Sequence, residues 1–535
     1  MMAIALFLLP SKKEGLPFPF EKAGKIITIA TQIVLAGCAS WLFFTCKQGE
    51  MASVLGNYSG LMGITLRADT LSSVFLVLTA FVFLIAGVYS YSDNDGKLYC
   101  FLLFIWQGLL NGLFLTRDLF NVFVLVEVVT VVVAVMIMYK RGKRSMYDGL
   151  LYLMLNTVVM QLFLFGIGYI YKLTGVLDMD AAASSIRHLD NNALALPFAL
   201  IMTAVCFKCA LTPFFIWLPK AHGSPGAPAP VSAILSGVHI KCGVYLFIRF
   251  QDFFQDIFPT EFFLTVGVVT GLLGCILALA QTDIKLILAY STMSQIGMLM
   301  AGLNLTDSYS YTGSIYHVFN HALFKAALFL SAGVIAETYG TREIDRIRGV
   351  MKRMPVVGAA TVLAILGIIG APLFNGSVSK YFIVSGAGRI VSGALMLNNL
   401  GTITIFVKYA AILFGKATAG QTDAKQTITE HDDAFKQIAV SALGIMCFAG
   451  GLFGEQFIHF LFDVSVSVDA ASYGEKTLLF AVSLVAGLLL YRYGVKNRRL
   501  HRLQTYLREI EIGFKGTCVM MGAFFAVTLI VLYFR

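Results

Sequence analysis

Apolar runs bounded by glycine, proline or charged residues follow one another along almost the whole chain. They fall near residues 2–10, 26–46, 71–91, 98–115, 119–139, 148–171, 195–217, 228–250, 262–281, 284–303, 311–336, 355–384, 388–414, 437–462, 476–494 and 513–534. About 20 mostly apolar residues carry a helix across a bilayer, so the pattern predicts an all-α polytopic membrane protein with 14–16 spans. The first run, MMAIALFLLP, is short for a span and lacks the small-residue cleavage site of a signal peptide; it reads as a truncated first helix. No glycine- or serine-rich linker separates the runs, and the one extended polar loop is 416–436. The stretch KNRRLHRLQTYLREIEIG, 496–513, is basic and amphipathic, and is expected to lie along the cytoplasmic surface or to continue a neighbouring helix.

Composition agrees: 58% of the 535 residues are hydrophobic and 13% charged, and the mean hydropathy is +0.79. A soluble multidomain enzyme is excluded. The net charge of +10 is mostly topological. With sixteen spans and an external N-terminus, 26 of the 40 Lys and Arg residues fall on the inner side and 8 on the outer. The outer loops 251–261 and 463–475 are acidic, so basic loops such as KRGKR, 140–144, face the cytoplasm. What remains is Arg535 and five lysines inside apolar runs: Lys208, Lys241, Lys325, Lys380 and Lys408. Of the nine cysteines only Cys206 and Cys209 form a C-x-x-C. With no second pair or nearby histidine to complete a tetrahedral set, they read as two small buried residues, and no structural metal is expected.

A lysine at membrane depth costs about 2.5–3.5 kcal/mol on the insertion scale, and such residues face the bundle interior on ion or proton pathways. One lysine near a span end can snorkel to the interface; five together do not fit that explanation. Glu127, in NVFVLVEVVTVVVAVMIMY, has six uncharged residues on each side and needs a partner. A buried Glu opposite a Lys keeps both ionised, and withdrawing the Lys lets the carboxylate take a proton; the plain alternative is a static pair fixing helix register. Lys208 precedes Pro213 and Pro219, while Lys380 follows Gly370, Pro372 and Gly376, so both lie in broken helices. Lys208 and Lys380 are 172 residues apart, and Lys241 and Lys408 are 167 apart, which suggests two five-span repeats. An odd span number makes the copies inverted. His317, His321 and Lys325 recur at i, i+4 and i+8 on one helix stripe. Two histidines four apart also suit a metal, but the third ligand would have to come from elsewhere; proton relay suits them better, with satisfied core histidines as the bland alternative. His239 points away from Lys241 on a helix. No phosphate-binding glycine loop, cluster-ligating cysteine set or C-x-x-C-H haem site appears, so no cofactor is expected.

Four ordered motifs, WLPKAHGSPGAPAPVSAILSGVHIKCGVY, QTDIKLILAYSTMSQIG, HVFNHALFKAALFLSAG and GAPLFNGSVSK, resemble the antiporter-like membrane subunits shared by respiratory complex I, Mrp-type Na+/H+ antiporters and membrane-bound hydrogenases. The likeness runs from about residue 57 to 415, and LTRDLFNVFVLVE with LYLMLNTVVMQLFLFGIGYIYKLTGVLDM is most similar to the D-type Mrp subunit and its hydrogenase relatives. In that family a Glu on the fifth helix pairs with a Lys on the broken seventh, and a central Lys or His on the eighth passes protons to a Lys or Glu on the broken twelfth. The resemblance implies these roles for Glu127, Lys208, Lys241 and Lys380, and places His317, His321 and Lys325 on a hydrated axis between half-channels; the match at Lys408 is weaker. The first helix is shortened, and the spans in 476–534 form an extra hairpin with no room for the long lateral helix of L-type complex I subunits.

The combined expectation is a proton-translocating subunit with N-terminal helices in 1–97, repeats in 98–250 and 262–414, and C-terminal helices in 437–535. Other membrane subunits would be its partners, joined by iron–sulfur or nickel–iron subunits in a redox pump, which would make it part of a translocase without catalytic chemistry of its own. The resemblance implies a multi-pass protein of a prokaryotic inner membrane, with no nucleic acid involved. The alternatives are a Na+ or K+ path, which several carboxylates at membrane depth would favour, and a non-conducting scaffold in a redox complex.

Overall fold

The computed structural model describes residues 20–57, 63–93, 96–415 and 433–534. The apolar run 2–10 and most of the polar loop 416–436 lie outside the described residues. Within them the chain is almost entirely helical, with one antiparallel hairpin pairing Met51–Val54 with Thr65–Ala68. The principal helices are α1 (Phe20–Cys46), α2 (Thr70–Tyr89), α3 (Lys97–Leu115), α4 (Leu119–Ile137), α5 (Lys143–Thr174), α6 (Asn191–Lys208), α7 (Trp217–Gly223) and α8 (Ala229–Phe253). They continue as α9 (Thr260–Ala280), α10 (Ile284–Leu303), α11 (Ser308–Tyr339), α12 (Pro355–Ile369), α13 (Asn375–Ser385), α14 (Arg389–Ala410), α15 (Asp433–Leu452), α16 (Ala470–Leu489), α17 (Arg498–Glu509) and α18 (Phe514–Tyr533). Fourteen helices among the described residues are long and apolar enough to cross a membrane. The expected span 355–384 is instead the two short helices α12 and α13, the second of the two expected breaks.

Both breaks follow from local chemistry. After Lys208 the chain runs without regular helix to Trp217, across Pro213, which has no N–H to donate. Between α12 and α13, Gly370 takes φ 76, a left-handed conformation that glycine adopts without steric cost. A Cβ on Gly376 would overlap the Gly367 carbonyl oxygen, so glycine lets the two half-helices abut. Helix starts are fixed by aspartates: Asp69, Asp118, Asp283 and Asp307 each accept a backbone N–H of the first turn.

Burial is graded across the bundle. The apolar windows of α8, α10 and α11 are 100%, 89% and 94% buried, against 17% for α1, 6% for α16 and 22% for α18. Lys241 on α8, Lys285 on α10 and His317, His321 and Lys325 on α11 are all buried among protein. The amphipathic helix α17 lies between the last two spans and is tied to the bundle by Arg508 Nε, which donates to the Ala280 carbonyl at 2.5 Å.

Candidate functional site

The first break places Lys208 beside α8. A Cβ on Gly243 would come within 2.7 Å of the Cys209 nitrogen, so α8 packs directly on the backbone where α6 ends. Lys208 is buried, and its Nζ donates to Asn156 Oδ1 on α5 at 2.7 Å and to Thr130 Oγ1 on α4 at 3.1 Å. Glu127 lies one turn before Thr130 and is half-buried, with Oε1 enclosed and unpaired. The expected direct pairing of Glu127 with Lys208 is thus not formed in this conformation, because the hydroxyl and amide hold the ammonium. Next to Lys208 a cavity of about 10 Å³, bordered by Asn156, Trp217, His239 and Cys242, is at the lower limit for a single water.

Residues of α8 face two ways. His239 Nε2 bonds Tyr152 Oη on α5 at 3.0 Å, toward the Lys208 side. Two residues on, Lys241 points to the other half, where Nζ meets His321 Nδ1 at 2.6 Å and the Ser236 carbonyl at 2.5 Å. The turn Leu235–His239 is a π-helical segment, a widening that leaves carbonyls such as that of Ser236 open to side chains.

From Lys241 the polar groups continue along α11. The His321 and His317 rings lie 6.2 Å apart, and His317 Nδ1 bonds Ser379 Oγ on α13 at 2.9 Å. The adjacent Lys380 donates to the Ile368 carbonyl at 2.6 Å and to Asn399 Oδ1 on α14 at 2.7 Å. The second break thus brings Ser379 and Lys380 to the histidine stripe. Lys325, also on α11, donates to the Leu288 carbonyl at 2.9 Å and to Ser291 Oγ. Lys408 stands apart: its Nζ donates to the carbonyls of Leu279 at 2.8 Å and Gln281 at 2.5 Å, closing the C-terminal end of α9. Among the described residues no group of three His, Cys, Asp or Glu side chains is placed to hold a metal.

Residues 116–428 match the family described as NADH:quinone oxidoreductase/Mrp antiporter, TM. The chain belongs to this family. It is 32% identical over 470 residues to the N-type subunit of the NADH-quinone oxidoreductase of Desulforudis audaxviator, covering 83% of this chain and 92% of that protein. It is 30% identical over 350 residues to the D-type subunit of the Na(+)/H(+) antiporter of Alkalihalophilus pseudofirmus, covering 64% and 70%. The fold is similar to a chain of the Mrp complex from Dietzia sp. DQ12-45-1b, with TM-score 0.73 and 22% identity over 89% of this chain and 94% of that one. It is also similar to a chain of the membrane-bound sulfane sulfur reductase, an archaeal respiratory membrane complex, with TM-score 0.77 and 20% identity over 91% and 97%. The protein is an antiporter-like, multi-pass integral membrane subunit.

This member of the family holds polar groups that charge counting alone did not single out. Thr130, Asn156, Tyr152, Ser291, Ser379 and Asn399 complete the contacts above; Thr130 and Tyr152 each stand as a lone polar residue in an apolar run, while the other four sit beside further polar residues and carry no such signal. At the end of the bundle opposite the basic loops, Asp69 receives Arg117 at 2.5 Å and Arg249 at 2.7 Å. Burial alone would raise the Asp69 carboxyl, but hydrogen bonds and charge from Arg249, the Ser72 N–H and the Arg117 charge outweigh it and hold the group at about 2. A carboxyl depressed in the folded state stabilises fully above its unfolded value near 3.9 and loses that contribution as the pH falls toward 2. Asp69→Asn leaves two buried guanidinium groups without their anion and is expected to destabilise the protein by about 3–5 kcal/mol. Thermal melts from pH 6 downward check both parts: the variant should melt lower at pH 6, and the gap should narrow as the wild type approaches the Asp69 titration.

Proposed function

We propose that this chain conducts protons as one subunit of a multi-subunit membrane complex. The basic loops face the cytoplasm. Glu127 and Lys208 form the switch of the first half, Lys241 is the central carrier, and protons pass His321, His317 and Lys380 on the way out. The two broken helices belong to two inverted five-helix repeats, 98–250 and 262–414. The observation that carries the reading is the near-continuous line of contacts Lys241–His321–His317–Ser379, ending beside Lys380, inside the most buried helices of the bundle. Imidazole and amine groups each accept and release a proton, and Ser379 can do both at once through its hydroxyl.

The relatives' own assemblies, an NADH-quinone oxidoreductase and a Na(+)/H(+) antiporter, give two possible sources of drive. The test is to extract the complex from its native membrane in mild detergent, identify every accompanying chain by mass spectrometry, and assay iron and nickel. The same material is then reconstituted to follow proton movement with a trapped pH dye. Iron–sulfur or nickel subunits are expected for an electron-driven pump, and small hydrophobic subunits without metal for an ion-gradient antiporter. A fully assembled complex that runs its driving reaction without moving protons would overturn the proposal.

A further inference from the structure

Helix α16, the first span of the extra C-terminal hairpin, touches the bundle little, yet two of its side chains meet the second broken helix. Its apolar window is 6% buried, and its start is fixed by Asp469, whose carboxylate accepts the Ser472 N–H at 2.9 Å. The next residue, Tyr473, reaches the break between α12 and α13. There the Leu373 N–H donates to Tyr473 Oη at 3.1 Å, and Oη shares a hydrogen bond of 3.0 Å with Ser377 Oγ in the first turn of α13. One turn along α16, Lys476 Nζ donates to the Tyr381 carbonyl at 3.2 Å and stands 3.7 Å from the centre of the Tyr381 ring, a cation–π contact. Helix α13 is therefore held from α16 at its start and again at its second turn.

These contacts fall where α13 has little support of its own. Leu373 takes φ 69, a left-handed conformation that is costly for a residue with a Cβ and persists only where the surroundings fix it. Phe374, which precedes the helix, offers no side-chain acceptor to cap the first turn. A Cβ on Gly451 would overlap the Phe374 carbonyl carbon, so α15 packs directly on the backbone of the same stretch. A tyrosine and a lysine near the end of a span commonly anchor it to the membrane–water interface. Here the hydroxyl and the ammonium turn instead to groups of α13, which anchoring does not require. Lys380 lies between the two contacts, three residues after Ser377 and one before Tyr381. A shift of α13 would therefore move Ser379 away from His317, now at 2.9 Å, and Lys380 away from the Ile368 carbonyl and Asn399, now at 2.6 and 2.7 Å.

We propose that Tyr473 and Lys476 are positioning residues that latch α13 in place, so that Ser379 and Lys380 stay at the end of the histidine line. The latch rests on the proton-conducting reading above and specifies what holds its last hand-over in geometry. Neither residue carries the proton. Tyr473 acts through the Leu373 N–H and Ser377, and Lys476 acts through the carbonyl and ring of Tyr381. Misplacement by about 1 Å slows transfer between positioned groups by up to about a hundredfold, so fixing both the start and the second turn of a short half-helix bears directly on flux.

The test measures proton flux per assembled complex in proteoliposomes, and hydrogen–deuterium exchange of the segment 371–386, for Tyr473→Phe, Lys476→Met and Lys476→Arg. Phenylalanine keeps the ring and removes only the hydroxyl, while arginine keeps a charge, a donor and the contact with the Tyr381 ring but cannot give up a proton. Tyr473→Phe and Lys476→Met are expected to speed exchange in 371–386. Both should lower maximal flux on the order of tenfold, with the half-saturating proton concentration unchanged within about twofold, because they disturb the last transfer and not uptake. Lys476→Arg should keep flux within about twofold of wild type. A loss in Lys476→Arg as deep as in Lys476→Met would make Lys476 a proton carrier and overturn its positioning role. Unchanged exchange in Tyr473→Phe would show that the break holds without the hydroxyl, which also overturns the latch. Wild-type flux in Tyr473→Phe and Lys476→Met, while Glu127→Gln and Lys241→Met stop it, would overturn the latch alone. Wild-type flux in those two as well would remove the conduction reading and the latch with it.

Discussion

Glu127→Gln is expected to leave the assembled complex intact and to cut coupled proton movement by on the order of a hundredfold, the loss typical of removing a positioned proton-transfer group. Glutamine matches the shape of glutamate and removes only the charge and the titratable site. Lys208 does not depend on Glu127 for its hydrogen bonds, since Asn156 and Thr130 hold its ammonium at 2.7 and 3.1 Å. Folding should therefore survive, with a melting temperature within a few degrees of wild type. Transport should not, because in the proposed switch the Glu127 carboxylate attracts the Lys208 charge, and an amide exerts no comparable attraction. The measurement is proton flux per assembled complex in proteoliposomes, beside a thermal melt. Flux at the wild-type level would remove Glu127 from the mechanism.

Lys241→Met is expected to reduce flux to the background leak. Lys241 is fully buried and lies where the two halves meet, with His239 on its own helix turned to one side and His321 on the other. In a path of carriers in series, loss of the central one stops every proton. Methionine has a similar length and no charge, and replacing a buried charge by an apolar side chain of like volume is often neutral for stability. The offsetting cost is the His321 Nδ1 left without its partner, about 1–3 kcal/mol. Assembly with loss of flux supports the central role, whereas assembly with flux retained would show that protons bypass α8.

Much of this arrangement is legible in the amino-acid sequence, for a physical reason. Hydrocarbon length sets the apolar runs, so the spans and the breaks near Pro213 and Gly370 are local features. A charge inside such a run is visible because it is costly there, which is how Glu127, Lys208, Lys241, Lys325 and Lys380 stand out. Lys408 stands out in the same way, yet the fold uses it to close the end of α9. A charge pattern cannot tell an ammonium held by helix-end carbonyls from one in line with histidines. Lys285 gives the opposite case: at the start of an apolar run it looks like a loop charge, and it is buried because α7 and the Ala227 turn fold over it.

Sequence alone therefore determined the class, the spans, the two interruptions and the family, because each depends on residues near one another in the chain or on motifs of fixed spacing. The tertiary structure decided which groups meet. Lys241 and His321 are 80 residues apart and His317 and Ser379 are 62 apart. Their contacts arise from how α8, α11 and α13 pack, which no local pattern encodes. The same packing holds Lys208 on Asn156 and Thr130 rather than on Glu127, and it encloses His222 with no partner, because burial and hydrogen bonding are settled only when distant segments close around a side chain.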